Sequence, residues 1–356
     1  MSVAPVPQLP DDLLLAHAAV HEDLAVAAER ADGDVRSIFG HLERRLAHES
    51  LAYVQSVSTR ADAQLIFPPP RSFLTRAQQL RMRGAGAAFR HIDTRVTLVQ
   101  RGDLTTAMDA STLPALHALF EGPDPGGRES NPGMLRASPT AWLETINPFE
   151  HPDPTDVPAL VDEVLAVAAD RSIPVAARAA WTTFMMLSVH PFVDGNGRTC
   201  RALYLLVAGP DLPLGIDWGI LEQWSVTRHV YIEALQAGNK IPRYDPALMS
   251  AEPFAVYSTA ASIRGAEVCI QRLQEIDRRY SARREAGWSA GAAVVGGLID
   301  HQRSCTPDEL LAAGLPAERL DDAVAELLAR GAIRWAPRPA SRRTLDDPAT
   351  SALVLC

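Results

Sequence analysis

His190-Pro191-Phe192-Val193-Asp194-Gly195-Asn196-Gly197-Arg198-Thr199-Cys200-Arg201 is the stretch on which the reading of this 356-residue chain turns. It sets an imidazole, a carboxylate, a Gly-Asn-Gly turn and two guanidinium groups in one short window. Gly195 and Gly197 accept positive φ and let a ligand approach the backbone. Arg198 to Ala208 then reads as a helix that ends at Gly209-Pro210. A glycine turn feeding a helix start leaves amide N–H groups unpaired at the positive end of the helix dipole, which makes an anion site. Asn196 can add a side-chain donor. Arg198 and Arg201, three apart, share a helix face from which planar forks can grip phosphate oxygens. Asp194 repels an anion by itself and makes sense with a divalent cation between carboxylate and phosphate oxygens. His190, with an ordinary pKa of about 6.5, suits a general base.

Each piece alone is common: a lone histidine is usually structural, Gly-Asn-Gly is an ordinary turn, and an aspartate near arginines is usually a solvated pair. Their order and spacing are not. Nine of the twelve positions, all but Val193, Thr199 and Cys200, match the signature of the Fic (filamentation-induced-by-cAMP) family, which the chain resembles from about Arg101 to Gln236. The resemblance implies transfer of AMP from ATP to a Ser, Thr or Tyr hydroxyl of a target protein, with release of pyrophosphate. His190 would be the base and Asp194 would hold Mg²⁺ (or Mn²⁺). Gly195, Asn196, Gly197, Arg198 and Arg201 would hold the phosphates, and Pro191 and Phe192 would shape the loop. Another donor, or removal of AMP, would use a similar loop. A different class of reading is a nucleotide-sensing transcriptional regulator.

The rest of the core follows helical patterns. Val175 to Val189 looks like a buried helix that delivers His190, with Ala180, Phe184 and Leu187 as core. Asp156 to Leu165 reads as a helix with proline in its first turn, and Val226 to Ala237 as one more. Asn131-Pro132-Gly133-Met134-Leu135-Arg136 stands where the family places a β-hairpin flap that would bind the target, so Pro132, Gly133, Met134, Leu135 and Arg136 are candidate target-binding residues. Many family members carry an inhibitory helix with Ser or Thr, three residues, Glu, then Gly or Asn. No complete copy is present: the segments at Ser56, Thr140 and Ser281 each depart from it.

The expected fold is mainly α: a Fic-type helical bundle with a small β-hairpin flap, an N-terminal helical region and a C-terminal winged-helix (α+β) module. The corresponding domains are 1–100 (helical), 101–245 (Fic core), 246–285 (helical connector) and 286–356 (winged helix). In the last, a helix at 292–301, a capped helix from Thr306, a helical segment at 317–331, a strand at 332–335 and a Pro/Arg wing follow in order. The third of these helices holds Asp321, Asp322 and Glu326, which would meet DNA phosphates poorly. Protein docking or homodimerisation is therefore preferred to DNA binding for this module.

Acids outnumber Lys plus Arg by 43 to 34, so no global basic signature points to nucleic acid. No apolar run is long enough to span a bilayer and no signal-peptide pattern opens the chain, so a cytoplasmic location is expected. Cys200, Cys269, Cys305 and Cys356 are scattered without metal or disulfide spacing, and Cys200 reads as a small packing residue. His17 and His21 lie four apart on a predicted helix, but with no third ligand evident they read as surface histidines.

Overall fold

The computed structural model describes residues 2–53, 76–122, 131–139, 149–302, 304–305, 310–311, 315–336 and 352–355. Its elements are mainly helical. In chain order they are α1 (Asp11–Arg30), α2 (Gly33–Tyr53), α3 (Arg76–Gln100), α4 (Thr112–Glu121), α5 (Val157–Ala169), α6 (Val175–Val189), α7 (Asn196–Ala208), α8 (Ile220–Val226), α9 (Arg228–Gly238), α10 (Glu252–Glu285) and α11 (Ala290–Gln302). A short strand β1 (Ser304–Cys305), helix α12 (Ala317–Ala329) and strands β2 (Ile333–Ala336) and β3 (Ala352–Leu355) follow. Among the described residues no helix is long and apolar enough to cross a membrane.

The chain forms two compact units. The first comprises Met1–Asp23, Ala47–Ala61 and Arg76–Glu267; the second comprises Leu24–Leu46, Asp62–Thr75 and Val268–Cys356. Helix α6 is the axis of the first unit. Its apolar residues run all round the helix rather than along one stripe, the pattern of a helix enclosed on every side. Trp181, Phe184, Met185 and Met186 are fully buried. Each such side chain contributes roughly 1.5–3 kcal/mol by leaving water. Helices α5 and α7 pack against α6, and α3 and α4 pack against α7. Helix α4 lies close on α3 because Gly84 has no side chain: a Cβ there would stand 2.8 Å from the Leu119 carbonyl oxygen. This approach places the C-terminal turn of α4 beside the motif loop.

The second unit buries Ile38, Phe39, Leu42, Leu273, Ile276, Val295, Leu298, Leu320 and Leu327. Its strands form an antiparallel sheet in the order β1-β3-β2, with Cys305 and Trp335 both opposite Leu353. Helix α12 turns Leu320, Ala323 and Leu327 inward and leaves Asp321 and Asp322 exposed. The expected helix beginning at Thr306 falls largely outside the described residues, as do Arg338, Arg342 and Arg343 of the expected wing.

Two expectations need correction. Residues 131–139 contain a turn and a bend but no strand, so the described part of the expected flap is not a β-hairpin. Asn131-Pro132-Gly133-Met134 closes on a Met134 N–H to Asn131 C=O bond of 3.0 Å, with Gly133 at φ +81°. That is the geometry Pro-Gly favours in a type II turn. His17 and His21, in turn, are not on the surface: each is 3% exposed.

Candidate active site

Helix α6 ends on His190, which adopts φ 52°, ψ 60°. Among the described residues it is the only non-glycine residue with positive φ. This left-handed conformation costs an ordinary residue about 1–2 kcal/mol, so the surroundings must hold it. Arg136 does much of this. Its guanidinium donates to the carbonyls of His190 (2.8 Å), Pro152 (2.6 Å) and Val189 (3.3 Å), and its own amide donates to Pro191 C=O (2.8 Å). Arg136 is 3% exposed. It therefore positions the loop and is not available to bind a target, as the sequence expectation had it.

The His190 ring is half-buried and weakly donates from Nδ1 to Leu187 C=O at 3.4 Å. A carbonyl only accepts, so Nδ1 carries the proton and Nε2 keeps its lone pair. Beside it lies His151, with ring centroids 4.3 Å apart. His151 Nδ1 donates to Ser188 C=O at 2.9 Å. Burial lowers the His190 pKa to about 3, with His151 and Arg136 adding to the shift. Burial likewise lowers His151 to about 4. Both rings are neutral at ordinary pH.

The loop between α6 and α7 is closed from within. Asn196 is 2% exposed, accepts from the Phe192 amide at 2.9 Å and donates to the Phe192 carbonyl at 2.8 Å. Its side-chain amide is thus spent on the backbone, a correction to its expected role as a phosphate donor. Gly195 adopts φ +80° as expected, whereas Gly197 lies in the first turn of α7. The first intrahelical bond there runs from Thr199 N–H to Gly195 C=O, so the amides of Asn196, Gly197 and Arg198 have no acceptor within the helix. Asp194 Oδ1 accepts the Gly195 amide at 2.7 Å, and among the described residues no donor meets its other oxygen.

Three further residues shape this loop and were not expected from sequence. His117 of α4 stacks on Phe192 (centroids 3.8 Å, planes 7° apart). Its Nδ1 accepts the Gly133 amide at 2.8 Å, which leaves Nε2–H to donate to Asp194 C=O at 2.9 Å. Glu121, at the end of α4, pairs with Arg198 at 2.6 Å. His151 is the third. Glu121-Gly122 departs from the inhibitory pattern only at its first position, where His117 stands in place of Ser or Thr.

Arg201 is 2% exposed and reaches Leu51 C=O at 3.4 Å. It therefore does not present an open fork beside Arg198, whose guanidinium is committed to Glu121. Met134 of the 131–136 segment is 63% exposed, and Pro132 is also exposed. Leu135 and Gly133 are half-buried. Phe192 and Cys200 are each 1% exposed, and burial pushes the Cys200 thiol up to about 12, so it packs rather than reacts.

Residues 106–208 match the family model of the Fic/DOC family. Solved structures with the same fold include a Fic family protein from Desulfovibrio desulfuricans G20 (15% identity, TM-score 0.54, covering 99% of this chain and 98% of that one). A Fic domain containing signaling protein from Bacteroides thetaiotaomicron VPI-5482 is similar over 73% of this chain and 98% of that one (15% identity, TM-score 0.55). Fic-1 from C. elegans is similar over 73% and 71% (19% identity, TM-score 0.52). No curated protein matches the chain in sequence. Residues 106–208, which hold His190, Arg136, His117 and the loop between α6 and α7, thus match the Fic/DOC family model, and the chain has the fold of solved Fic proteins.

Proposed function

We propose that the chain is a protein adenylyltransferase that moves AMP from ATP to a hydroxyl side chain of a target protein. The observation that carries this reading is the neutral His190, held in a strained left-handed conformation at the entrance to a loop whose next helix opens with amides that have no acceptor within the helix. Strain that the surroundings must hold in place is characteristic of functional positions.

In this reading the acceptor hydroxyl gives its proton to His190 Nε2 as its oxygen attacks the α-phosphorus. The bond from that phosphorus to the bridging oxygen breaks, and pyrophosphate leaves. The amides of Asn196, Gly197 and Arg198 donate to phosphate oxygens at the positive end of α7. Arg198 joins them once its pairing with Glu121 is exchanged for phosphate. Asn196 and Arg136 keep the loop in shape, and Arg201 supports α7 from within.

Asp194 fits a divalent cation such as Mg²⁺ or Mn²⁺, because one carboxylate oxygen organises the turn while no donor among the described residues meets the other. Such an ion, when bound, neutralises polyphosphate charge. The exposed turn at Pro132 and Met134 is the candidate contact for the target segment.

The exposed acidic face of α12 makes protein docking a better reading of the C-terminal unit than DNA binding, whether that unit is a winged helix or not. The reaction class is tested by incubating the chain and a cell lysate with Mg²⁺ and ATP labelled on either the α- or the γ-phosphate. Protein-bound label from the α-phosphate alone supports AMP transfer; label from the γ-phosphate alone contradicts it and indicates a kinase.

A further inference from the structure

Within the first compact unit, away from the motif loop, lies a second cluster of chemically capable side chains. His17 and His21 are one helical turn apart on α1, and Asp217 precedes α8. One ligand atom from each of the three lies within 4.8 Å of the others, and all three are buried. Ser262 of α10 stands among them. Its Oγ is 2.9 Å from His21 Nε2 and 3.1 Å from His17 Nε2, and it donates to Asp217 Oδ2 at 2.7 Å. Tyr204 of α7 donates to the same Oδ2 at 2.9 Å.

The hydrogen-bond inventory does not close. Both hydroxyl protons fall on Asp217 Oδ2, while Oδ1 is buried with no hydrogen-bond partner. His21 Nε2 stands 3.8 Å from it, too far for a hydrogen bond. An unsatisfied buried carboxylate oxygen costs several kcal/mol or a pKa shift unless something compensates it. Two imidazole nitrogens, a hydroxyl and a carboxylate facing inward are the groups that compensate one another around a cation.

We infer that His17, His21 and Asp217, with Ser262 on the fourth side, form a buried binding site for a zinc-type divalent metal ion. The spacings of 2.7, 2.9, 3.1 and 3.8 Å lie on both sides of the ligand–ligand edge of about 3.3 Å expected for a tetrahedron with metal–ligand bonds near 2.0–2.1 Å. Two imidazoles select zinc, cobalt or nickel over magnesium, which prefers an oxygen shell. Burial on every side makes the site closed and structural rather than catalytic. It ties α1 to α10 and, through Tyr204, reaches the helix that opens on the motif loop. The inference is independent of the adenylyltransferase reading.

The test uses the full chain, purified without chelator and assayed for metal by mass spectrometry, then stripped and titrated with zinc or cobalt ions. The expected result is one tightly held zinc per chain, a higher melting temperature on adding zinc to stripped protein, and visible absorption bands of tetrahedral cobalt after cobalt loading. His21→Gln and Asp217→Asn, both able to keep hydrogen bonds, should retain under about a tenth of that zinc, whereas Asp194→Asn should keep it. Absence of retained zinc, of a melting shift and of a tetrahedral cobalt spectrum in the wild type would overturn the inference without recourse to any variant. Zinc that survives Asp217→Asn in folded protein, or disappears with Asp194→Asn, would overturn it equally.

Discussion

Glu121 Oε1 and Arg198 Nη2 stand 2.6 Å apart, both largely buried, at the point where α4 meets the start of α7. An arginine expected to hold phosphate is thus already satisfied by an anion from its own chain. In the proposed reading, nucleotide phosphate and Glu121 would compete for the same guanidinium. Breaking a buried pair by removing one partner costs about 3–5 kcal/mol, most of it the penalty of the charge left behind. Glu121→Gln should therefore melt at a lower temperature, and Mg²⁺ with ATP should raise its melting point more than that of wild type. Its KM for ATP should fall by about tenfold, since 1.4 kcal/mol of lost competition is a factor of ten. Thermal melts with and without nucleotide and steady-state kinetics check both; an unchanged KM would mean that Arg198 does not exchange partners.

The same carboxylate fixes a glycine. A Cβ on Gly195 would lie 2.5 Å from Glu121 Oε1, and the residue sits at φ +80°. Gly195→Ala thus meets both a steric and a conformational penalty, the latter about 1–2 kcal/mol. It should lower both stability and labelling activity. Adding Glu121→Ala removes the contact at 2.5 Å but leaves His117 Nε2 at 3.2 Å and the conformational penalty, so stability in the double variant should recover in part relative to the sum of the two single effects, as a denaturant double-mutant cycle will show.

Arg136 is the third test. Three carbonyls, those of His190, Val189 and Pro152, depend on its fork. Lysine keeps the charge but not the planar geometry. Arg136→Lys should lose about 1–3 kcal/mol of stability, the cost of leaving a buried acceptor unpaired. It should lower kcat more than it raises KM, because it displaces the base rather than the phosphate site. Equal stability and activity in this variant would show that the loop holds itself.

Acid should act on this site with a definite sign. His190 and His151 have pKa values near 3 and 4 in the folded chain, against about 6.5 when unfolded. Below pH 6.5 the unfolded chain takes up protons that the folded chain refuses. Stability is therefore unaffected by these groups above that value and falls as pH drops, by roughly 1.4 kcal/mol per pH unit for each. Urea midpoints from pH 7 to pH 4.5, compared with His151→Phe, measure one share. A bound polyphosphate favours imidazolium and should raise the His190 pKa. The acid limb of kcat should then lie at higher pH than that of kcat/KM, which reports the free enzyme.

Much of this was legible in the sequence because the governing interactions are local. Val175 to Val189 reads as a helix from its own residues, and the structure places α6 on the same bounds. The turn at Asn131 to Met134 follows from Pro-Gly alone. What could not be read depends on partners distant in sequence. Asn196 looks like a free donor until Phe192 folds back on it, and Arg136 looks like a flap residue until its guanidinium meets carbonyls 54 positions away. His17 and His21 showed helical spacing, but their third companion lies near residue 217, where no periodicity points to it. Glu121 followed by Gly122 was a usable signal, obscured by the histidine four positions before it.

The central claim rests on His190 as the base for AMP transfer, and one measurement addresses it most directly. Wild type and His190→Ala are incubated with Mg²⁺ and α-labelled ATP beside the same lysate, and labelled proteins are identified by intact mass and gel. Wild type is expected to attach the mass of one AMP to a protein, itself or another, while the folded variant attaches none. Equal labelling by the folded His190→Ala variant would contradict the account, as would a wild type and a Glu121→Gln variant that both bind ATP yet label nothing.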